Sequence, residues 1–212
     1  MNIKGAIFDL DGTILDSMRM WRYVGNDYLF SIGIEPSETL HEELRHMYLW
    51  DACDFICENY DTNRPLEQVF SEISAYIADF YQTKAKLKEG SAEYLEKLKK
   101  EGVRICLATA TERTLLSPAL KRCGIFDYFE EIFTCYELKT RKTEPHIYNT
   151  AHKFLGTPIE NTYVFEDVFT AAQTAKNAGF KVVGVYDSME YLKEKELKEI
   201  SDVYVNSFKE LI

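Results

Sequence analysis

The sequence predicts an α/β protein: a parallel sheet with helices on both faces, and a small all-helical block inserted after the first strand. Three observations carry that reading. From about residue 87 to residue 212, short apolar runs bounded by glycine and polar residues alternate with amphipathic helical segments, the pattern of strand–helix–strand units. One further apolar run, Ala6-Ile7-Phe8, stands apart at the N-terminus. Between them, residues 17–86 keep helical periodicity with no confident strand. The core is therefore expected over 1–16 and 87–212, and the helical block over 17–86.

Taken in order, Ala6-Ile7-Phe8 reads as a buried strand passing into the loop Asp9-Leu10-Asp11-Gly12-Thr13. In the helical block, Trp21, Val24 and Tyr28 recur at spacings of three and four, ending near Gly33. Thr39 with Glu42 predicts a capping box ahead of a helix bearing Leu40, Leu44 and Met47. A third helix carries Ala52, Phe55 and Ile56 and closes in the turn Asp61 to Pro65. The fourth is the clearest, with Leu66, Val69, Phe70, Ile73, Ile77, Phe80 and Tyr81 in helical register. Four amphipathic helices suffice for a small bundle. In the core, Ser91 is placed as the cap of a helix stopped by Gly102. Val103 to Ala108 is a buried strand. Ser117-Pro118 reads as N-cap and first helical position of a helix ended by Gly124. Glu131 to Thr134 is a short strand, and Pro145 opens a helix with Tyr148, Ala151 and Leu155 on one face. Thr162 to Phe165 is a strand running into Glu166-Asp167, followed by an alanine-rich helix up to Gly179. Val182 to Val185 and Val203 to Val205 complete the sheet.

Composition narrows the function. The chain has 212 residues, 46% of them apolar and 28% charged, ordinary for a globular domain. A formal net charge of −10 argues against nucleic acid or an anionic membrane surface as partner. Any phosphate site must then be made locally cationic, by a metal ion or a lysine. Five cysteines, Cys53, Cys57, Cys106, Cys123 and Cys135, lack both disulfide-rich and zinc-like spacing. They are expected as free thiols in a reducing compartment. No run reaches membrane-spanning length and no signal peptide is visible, so a cytoplasmic location is expected.

Chemistry-bearing side chains recur where strands end: Asp9 with Asp11, Thr109, Lys142, and Glu166 with Asp167. Parallel strands present their C-terminal ends along one edge, where open α/β sheets bind ligands. Alternation sends Asp9 and Asp11 to the same side. Two carboxylates held together require either a cation between them or a retained proton. Gly12 permits a sharp turn that would aim peptide N–H groups at an anion. Taken singly, Thr109 is an ordinary strand-end residue, Lys142 belongs to a basic loop, and Glu166-Asp167 suits a helix start. Their recurrence at successive strand ends favours a site.

Asp9-Leu10-Asp11-Gly12-Thr13 resembles the DxDGT signature of the haloacid dehalogenase-like hydrolase superfamily. Three further motifs follow in that superfamily's order. Leu107-Ala108-Thr109-Ala110-Thr111 resembles the second and Lys142-Thr143-Glu144-Pro145-His146-Ile147-Tyr148 the third. Phe165-Glu166-Asp167 resembles the fourth. The resemblance implies a Rossmann-like core and a Mg²⁺-dependent phosphoryl-transfer enzyme. Asp9 would be the nucleophile and Asp11 the general acid/base. Thr109, Ala110 and Lys142 would bind phosphate. Asp9, Asp167, Glu166 and the backbone carbonyl of Asp11 would hold the metal. The helical block resembles the small cap of the β-phosphoglucomutase-like branch, which closes over the site and contacts substrate. Candidate contacts there are Arg19, Trp21, Arg45, Tyr48 and Trp50.

Departures are informative. Thr143 and His146 stand where Pro and Asp are usual, and Val168 to Ala171 where Ser and later Gly are common. Trp21 occupies the position at which β-phosphoglucomutases carry a histidine, which favours a plain phosphatase over a phosphomutase. Asp11 argues against the dehalogenase branch, which lacks that acid/base. The leading expectation is a phosphatase acting on a small phosphorylated metabolite through an aspartyl-phosphate. A phosphomutase and a catalytically silent phosphometabolite-binding protein are the alternatives.

Overall fold

The computed structural model describes every residue except His46 and Tyr48. In chain order, the first elements are β1 (Gly5–Phe8), β2 (Leu15–Asp16) and the helices α1 (Met18–Ser31), α2 (Leu40–Glu43), α3 (Leu49–Asn59) and α4 (Leu66–Asp79). Then come β3 (Lys86–Leu87), α5 (Ser91–Lys100), β4 (Arg104–Thr109), α6 (Arg113–Arg122), β5 (Glu131–Thr134), α7 (Cys135–Leu138) and α8 (His146–Leu155). The chain ends with β6 (Thr162–Glu166), α9 (Phe169–Asn177), β7 (Lys181–Val185), α10 (Glu194–Ile200) and β8 (Val203–Val205). Two compact units result: Met1–Ser17 with Ala85–Ile212, and Met18–Lys84. No helix among the described residues is long and apolar enough to cross a membrane. All five cysteines are free.

Six parallel strands form the sheet in the order β5-β4-β1-β6-β7-β8. After β1 the chain adds strands to one side and, from β6 onward, to the other. The order reverses between β1 and β6, which makes their C-terminal ends the switch point where such sheets bind ligands. Strand alternation sends neighbouring β1 residues to opposite layers. Ile7 packs with Cys106, Val164, Ile147, Ala151 and Ala172 beneath α8 and α9. Phe8 instead stacks on Phe165, with ring centroids 4.1 Å apart, in a cluster with Tyr94 of α5 and Phe208. Each such ring, fully buried, contributes about 2–3 kcal/mol. Helices therefore cover both faces, as the alternating pattern of the sequence requires.

The helical unit buries Val24, Tyr28 and Leu29 of α1, Cys53 and Ile56 of α3, and Val69, Ile73 and Ile77 of α4. A π-helical turn, Phe80–Lys84, continues α4 and buries Tyr81. The polar edges of its aromatic side chains are satisfied internally: Tyr28 donates to Glu72 (2.8 Å) and Tyr76 to Asp27 (3.0 Å). The predicted capping box does not form. Thr39 is already in helical backbone conformation and its hydroxyl donates to Glu43 (2.8 Å), while the Glu42 carboxylate pairs with Arg22. With both halves of the box engaged elsewhere, α2 ends at Glu43 and Met47 lies outside it.

Two boundaries in the core also differ from expectation. Ser91 is the first helical residue of α5, and Gly90 takes the cap position at φ 79°. The Ser91 hydroxyl is buried without a hydrogen-bond partner among the described residues. Pro118 lies inside α6, not at its start. The helix begins at Arg113, immediately after the loop that follows β4, and buried Leu116, Ala119 and Leu120 hold it together through the lost amide. The two-residue strands β2 and β3, and the helices α7 and α10, carry no clear periodic signal. They exist because the tertiary structure pairs or packs them: β2 and β3 form an antiparallel ladder where the chain leaves the first unit and returns.

A β-carbon at Gly90 would lie 2.6 Å from the backbone nitrogen of Lys209 as well as requiring the left-handed region. Gly90→Ala is expected to destabilise the protein by about 2–4 kcal/mol, read as a lower midpoint in urea with an unchanged slope. An unshifted midpoint would contradict this packing.

Candidate active site

Asp9 follows β1 directly, and its amide donates to the carbonyl of Phe165 (3.0 Å), which prolongs the β1–β6 ladder by one residue. Its side chain is thereby buried at the switch point beside Glu166, the last residue of β6, and Asp167. Carboxylate oxygens of Asp9, Glu166 and Asp167 lie within 4.8 Å of one another. The Lys142 ammonium, from the loop between α7 and α8, donates to Asp9 and to Glu166 Oε1 (2.6 Å). Tyr148 Oη donates to that same Oε1 (2.8 Å), and Thr13 Oγ1 donates to Asp167 Oδ1 (3.0 Å).

The electrostatics follow from burial. Removal from water pushes the Asp9 carboxyl up to about 6, with Glu166 adding to the rise and Lys142 opposing it. Burial, then Asp9 and Glu166, drive Asp167 well above the usual carboxylate range. Burial alone would depress Lys142, but the two carboxylates it contacts hold its ammonium protonated well above the ordinary lysine value. One ammonium is set against three carboxylates. Glu166 Oε2 and Asp167 Oδ2 are buried and have no hydrogen-bond partner among the described residues. Orphaned buried acceptors call for an explanation. A hard divalent cation supplies one: ligand oxygens at about 2.1 Å from Mg²⁺ are separated by about 3–4 Å, compatible with the observed spread. The residues present fit such an ion.

Among the described residues, the Asp11 carboxylate is not part of this carboxylate group. The strand ends at Phe8, so its alternation does not reach Asp11. Instead the chain folds tightly back at Gly12 (φ 83°), with the amides of Ile14 and Leu15 donating to Leu10 O. The Asp11 carboxylate accepts one hydroxyl at each oxygen, from Ser17 (2.6 Å) and Thr111 (2.6 Å). Thr109 ends β4, and its buried hydroxyl accepts the Thr111 amide (3.0 Å). Ala110 between them is exposed. Thus Asp9, Lys142, Glu166 and Asp167 converge, whereas Asp11 and Thr109 are joined through Thr111.

Several contributors escape sequence reasoning. Tyr148 reads as a core position on its helix, and its burial agrees, but its hydroxyl serves Glu166. Thr13, Ser17 and Thr111 lie inside or beside motifs, yet nothing local identifies their hydroxyl partners. Among the candidate contacts in the helical unit, Trp21 donates its indole N–H to Tyr81 Oη (2.9 Å) and Trp50 packs on Phe70. Arg19 lies over the Tyr23 ring and Arg45 pairs with Glu42. Tyr48 lies outside the described residues.

Known proteins resemble this chain over most of its length. A family model for haloacid dehalogenase-like hydrolases matches residues 6–185. The phosphoglycolate phosphatase of Rhodobacter capsulatus is 30% identical over 185 residues, spanning 84% of this chain and 81% of its own. The phosphorylated carbohydrates phosphatase of Thermotoga maritima is 24% identical over 188 residues, spanning 88% and 87%. A crystal structure of a Thermotoga maritima protein provisionally assigned as a β-phosphoglucomutase superposes with a TM-score of 0.86 at 24% identity, covering 99% of this chain and 96% of that one. Its fold is the β-phosphoglucomutase-like one. The motif order, the strand-end geometry and these matches together make this chain a member of the haloacid dehalogenase-like hydrolase family.

Proposed function

We propose that the protein is a Mg²⁺-dependent phosphatase that hydrolyses a small phosphorylated metabolite through an aspartyl-phosphate on Asp9. The observation that carries this is Lys142 bridging Asp9 and Glu166 beside two carboxylate oxygens unpartnered among the described residues. That is a site already short of positive charge and one cation from balance. Hydrolysis of a phosphate ester is in keeping with the relatives, which include phosphatases of phosphoglycolate and of phosphorylated carbohydrates.

Asp9, Glu166 and Asp167 would hold the ion, with the backbone carbonyl of Asp11 as a further ligand. When bound, it neutralises phosphate charge and lets an anionic nucleophile approach. An oxygen of Asp9 attacks phosphorus and the bond to the leaving oxygen breaks, splitting one difficult displacement into two. Asp11, protonated, gives its proton to that leaving oxygen. In the second step Asp11 takes a proton from water, the water oxygen attacks phosphorus, and Asp9 is released with inorganic phosphate. Ser17 and Thr111 fix the Asp11 carboxylate by one hydrogen bond to each oxygen. Lys142 supplies a fixed positive charge to phosphate, and the Thr109 hydroxyl and the Ala110 segment bind its oxygens. We assign the helical block, residues 17–86, the role of substrate-selecting cap. The indole N–H of Trp21 is engaged by Tyr81, in keeping with a phosphatase over a phosphomutase.

Asp9→Asn is expected to reduce phosphate release from a generic phosphomonoester by at least about 10³-fold. Undiminished turnover would remove the mechanism. Mg²⁺ affinity is expected to depend on pH. Asp9 keeps its proton in the folded, ion-free protein up to about pH 6, so an ion must displace that proton below this pH. Asp167 is raised in the same direction. Affinity should therefore weaken by about tenfold or more for each pH unit below 6, as measured by calorimetric titration. Constant affinity between pH 5 and pH 7 would contradict the assignment of Asp9 as a ligand.

A further inference from the structure

A second lysine, half-buried, is tied to the segments that flank the carboxylate cluster, and neither the motifs nor the proposed chemistry uses it. Lys88 follows β3, and its ammonium contacts Asp187 Oδ2 (2.8 Å) and donates to the carbonyl of Tyr186 (2.6 Å). Its side chain is 15% exposed and that of Asp187 4%. The other Asp187 oxygen accepts the amide of Met189 (2.8 Å). Asp187 sits in the turn after β7, the strand paired directly with β6, whose end carries Glu166 and Asp167. Lys88 is also joined to the loop after β1: its amide donates to Ile14 O (2.9 Å), one residue from Thr13, whose hydroxyl holds Asp167. The pair thus links two segments that flank Asp167.

We propose that Lys88 and Asp187 form a charge-compensating pair that sets how tightly the Asp9–Glu166–Asp167 cluster holds a divalent cation; the inference rests on the cation reading above. The charges balance accordingly. Four buried carboxylates, Asp9, Glu166, Asp167 and Asp187, face two ammoniums, Lys142 and Lys88. With all four carboxylates ionised, as ligation of a cation there requires, two negative charges remain, the number a divalent ion neutralises. Lys88 prevents Asp187 from adding a further unpaired charge in a low-dielectric site, where such charges act strongly on one another. Asp187 in turn prevents Lys88 from repelling the ion. The two residues are positioning groups: they act on the ion through the field at Asp167.

The test is Mg²⁺ binding to the full-length, substrate-free protein by isothermal titration calorimetry. Asp187→Asn, which retains an acceptor for the Met189 amide, is expected to weaken Mg²⁺ binding by about tenfold. Lys88→Met is expected to tighten it, because a repelling charge is lost. The double variant should return to within about threefold of the parent, since the two effects oppose each other. A purely structural role would weaken binding in both single variants, and that result, or no change in either, overturns the proposal. Should Lys88→Met fail to fold, Lys88→Gln keeps a donor toward Asp187 and the Tyr186 carbonyl and carries the same expectation. Asp167→Asn, titrated alongside, tests the cation reading itself. Intact Mg²⁺ binding in that variant defeats the cation reading, whereas lost binding there with unmoved pair variants defeats only the pair.

Discussion

Three carboxylates and an ammonium are buried together at the point where the sheet changes direction, and this concentration of charge constrains everything around it. Taking an ion out of water costs several kcal/mol, of order, even after relaxation. Asp9, Glu166 and Asp167 sit 7% exposed or less. The fold meets that cost with geometry. The β1–β6 ladder extends through the Asp9 amide, Lys142 reaches two carboxylates at once, and Tyr148 and Thr13 each contribute a hydroxyl. Two carboxylate oxygens that no described residue satisfies, Glu166 Oε2 and Asp167 Oδ2, are where the site is open to a cation.

Rigidity beneath the site comes from the apolar layers. Ile7 and Phe8, adjacent in sequence, anchor β1 in different layers, one under α8 and α9 and the other among Tyr94, Phe165 and Phe208. Asp9 leaves a strand clamped on both faces, so its carboxylate has little freedom. Asp11 is two residues farther on, beyond the Gly12 turn, and depends on hydroxyls from Ser17 and Thr111. Asp9 and Asp11 are thus held by different means: one by the sheet, the other by hydrogen bonds between loops. Ser17 ends the first segment of the core unit, immediately before α1 begins.

Much of this was legible in the amino-acid order because it is local. Continuous apolar runs that pass into polar residues mark β1, β4 and β6, and with them the positions where Asp9, Thr109 and Glu166 emerge. Elements decided by distant partners were not legible. The Ser117-Pro118 pair has the chemistry of a helix start, but the loop carrying Thr109 and Thr111 ends sooner and α6 begins at Arg113. Thr39 and Glu42 have the spacing of a capping box, but Glu43 and Arg22 compete for them. The same limit applies to the site. Carboxylates at strand ends are conspicuous, whereas the hydroxyls of Thr13, Thr111 and Tyr148 are ordinary until the fold aims them. Lys88 and Asp187 are nearly a hundred residues apart, and only the adjacency of β6 and β7 brings their pairing near Asp167.

The central claim is that distant parts of the chain converge to hold a divalent cation against Asp9. Its most direct measurement is an anomalous diffraction map from crystals of the protein soaked in Mn²⁺, a scatterer that takes the same oxygen ligands as Mg²⁺. The account predicts one strong peak in contact with the carboxylates of both Asp9 and Asp167. A peak elsewhere, or none at this cluster at saturating Mn²⁺, would contradict it.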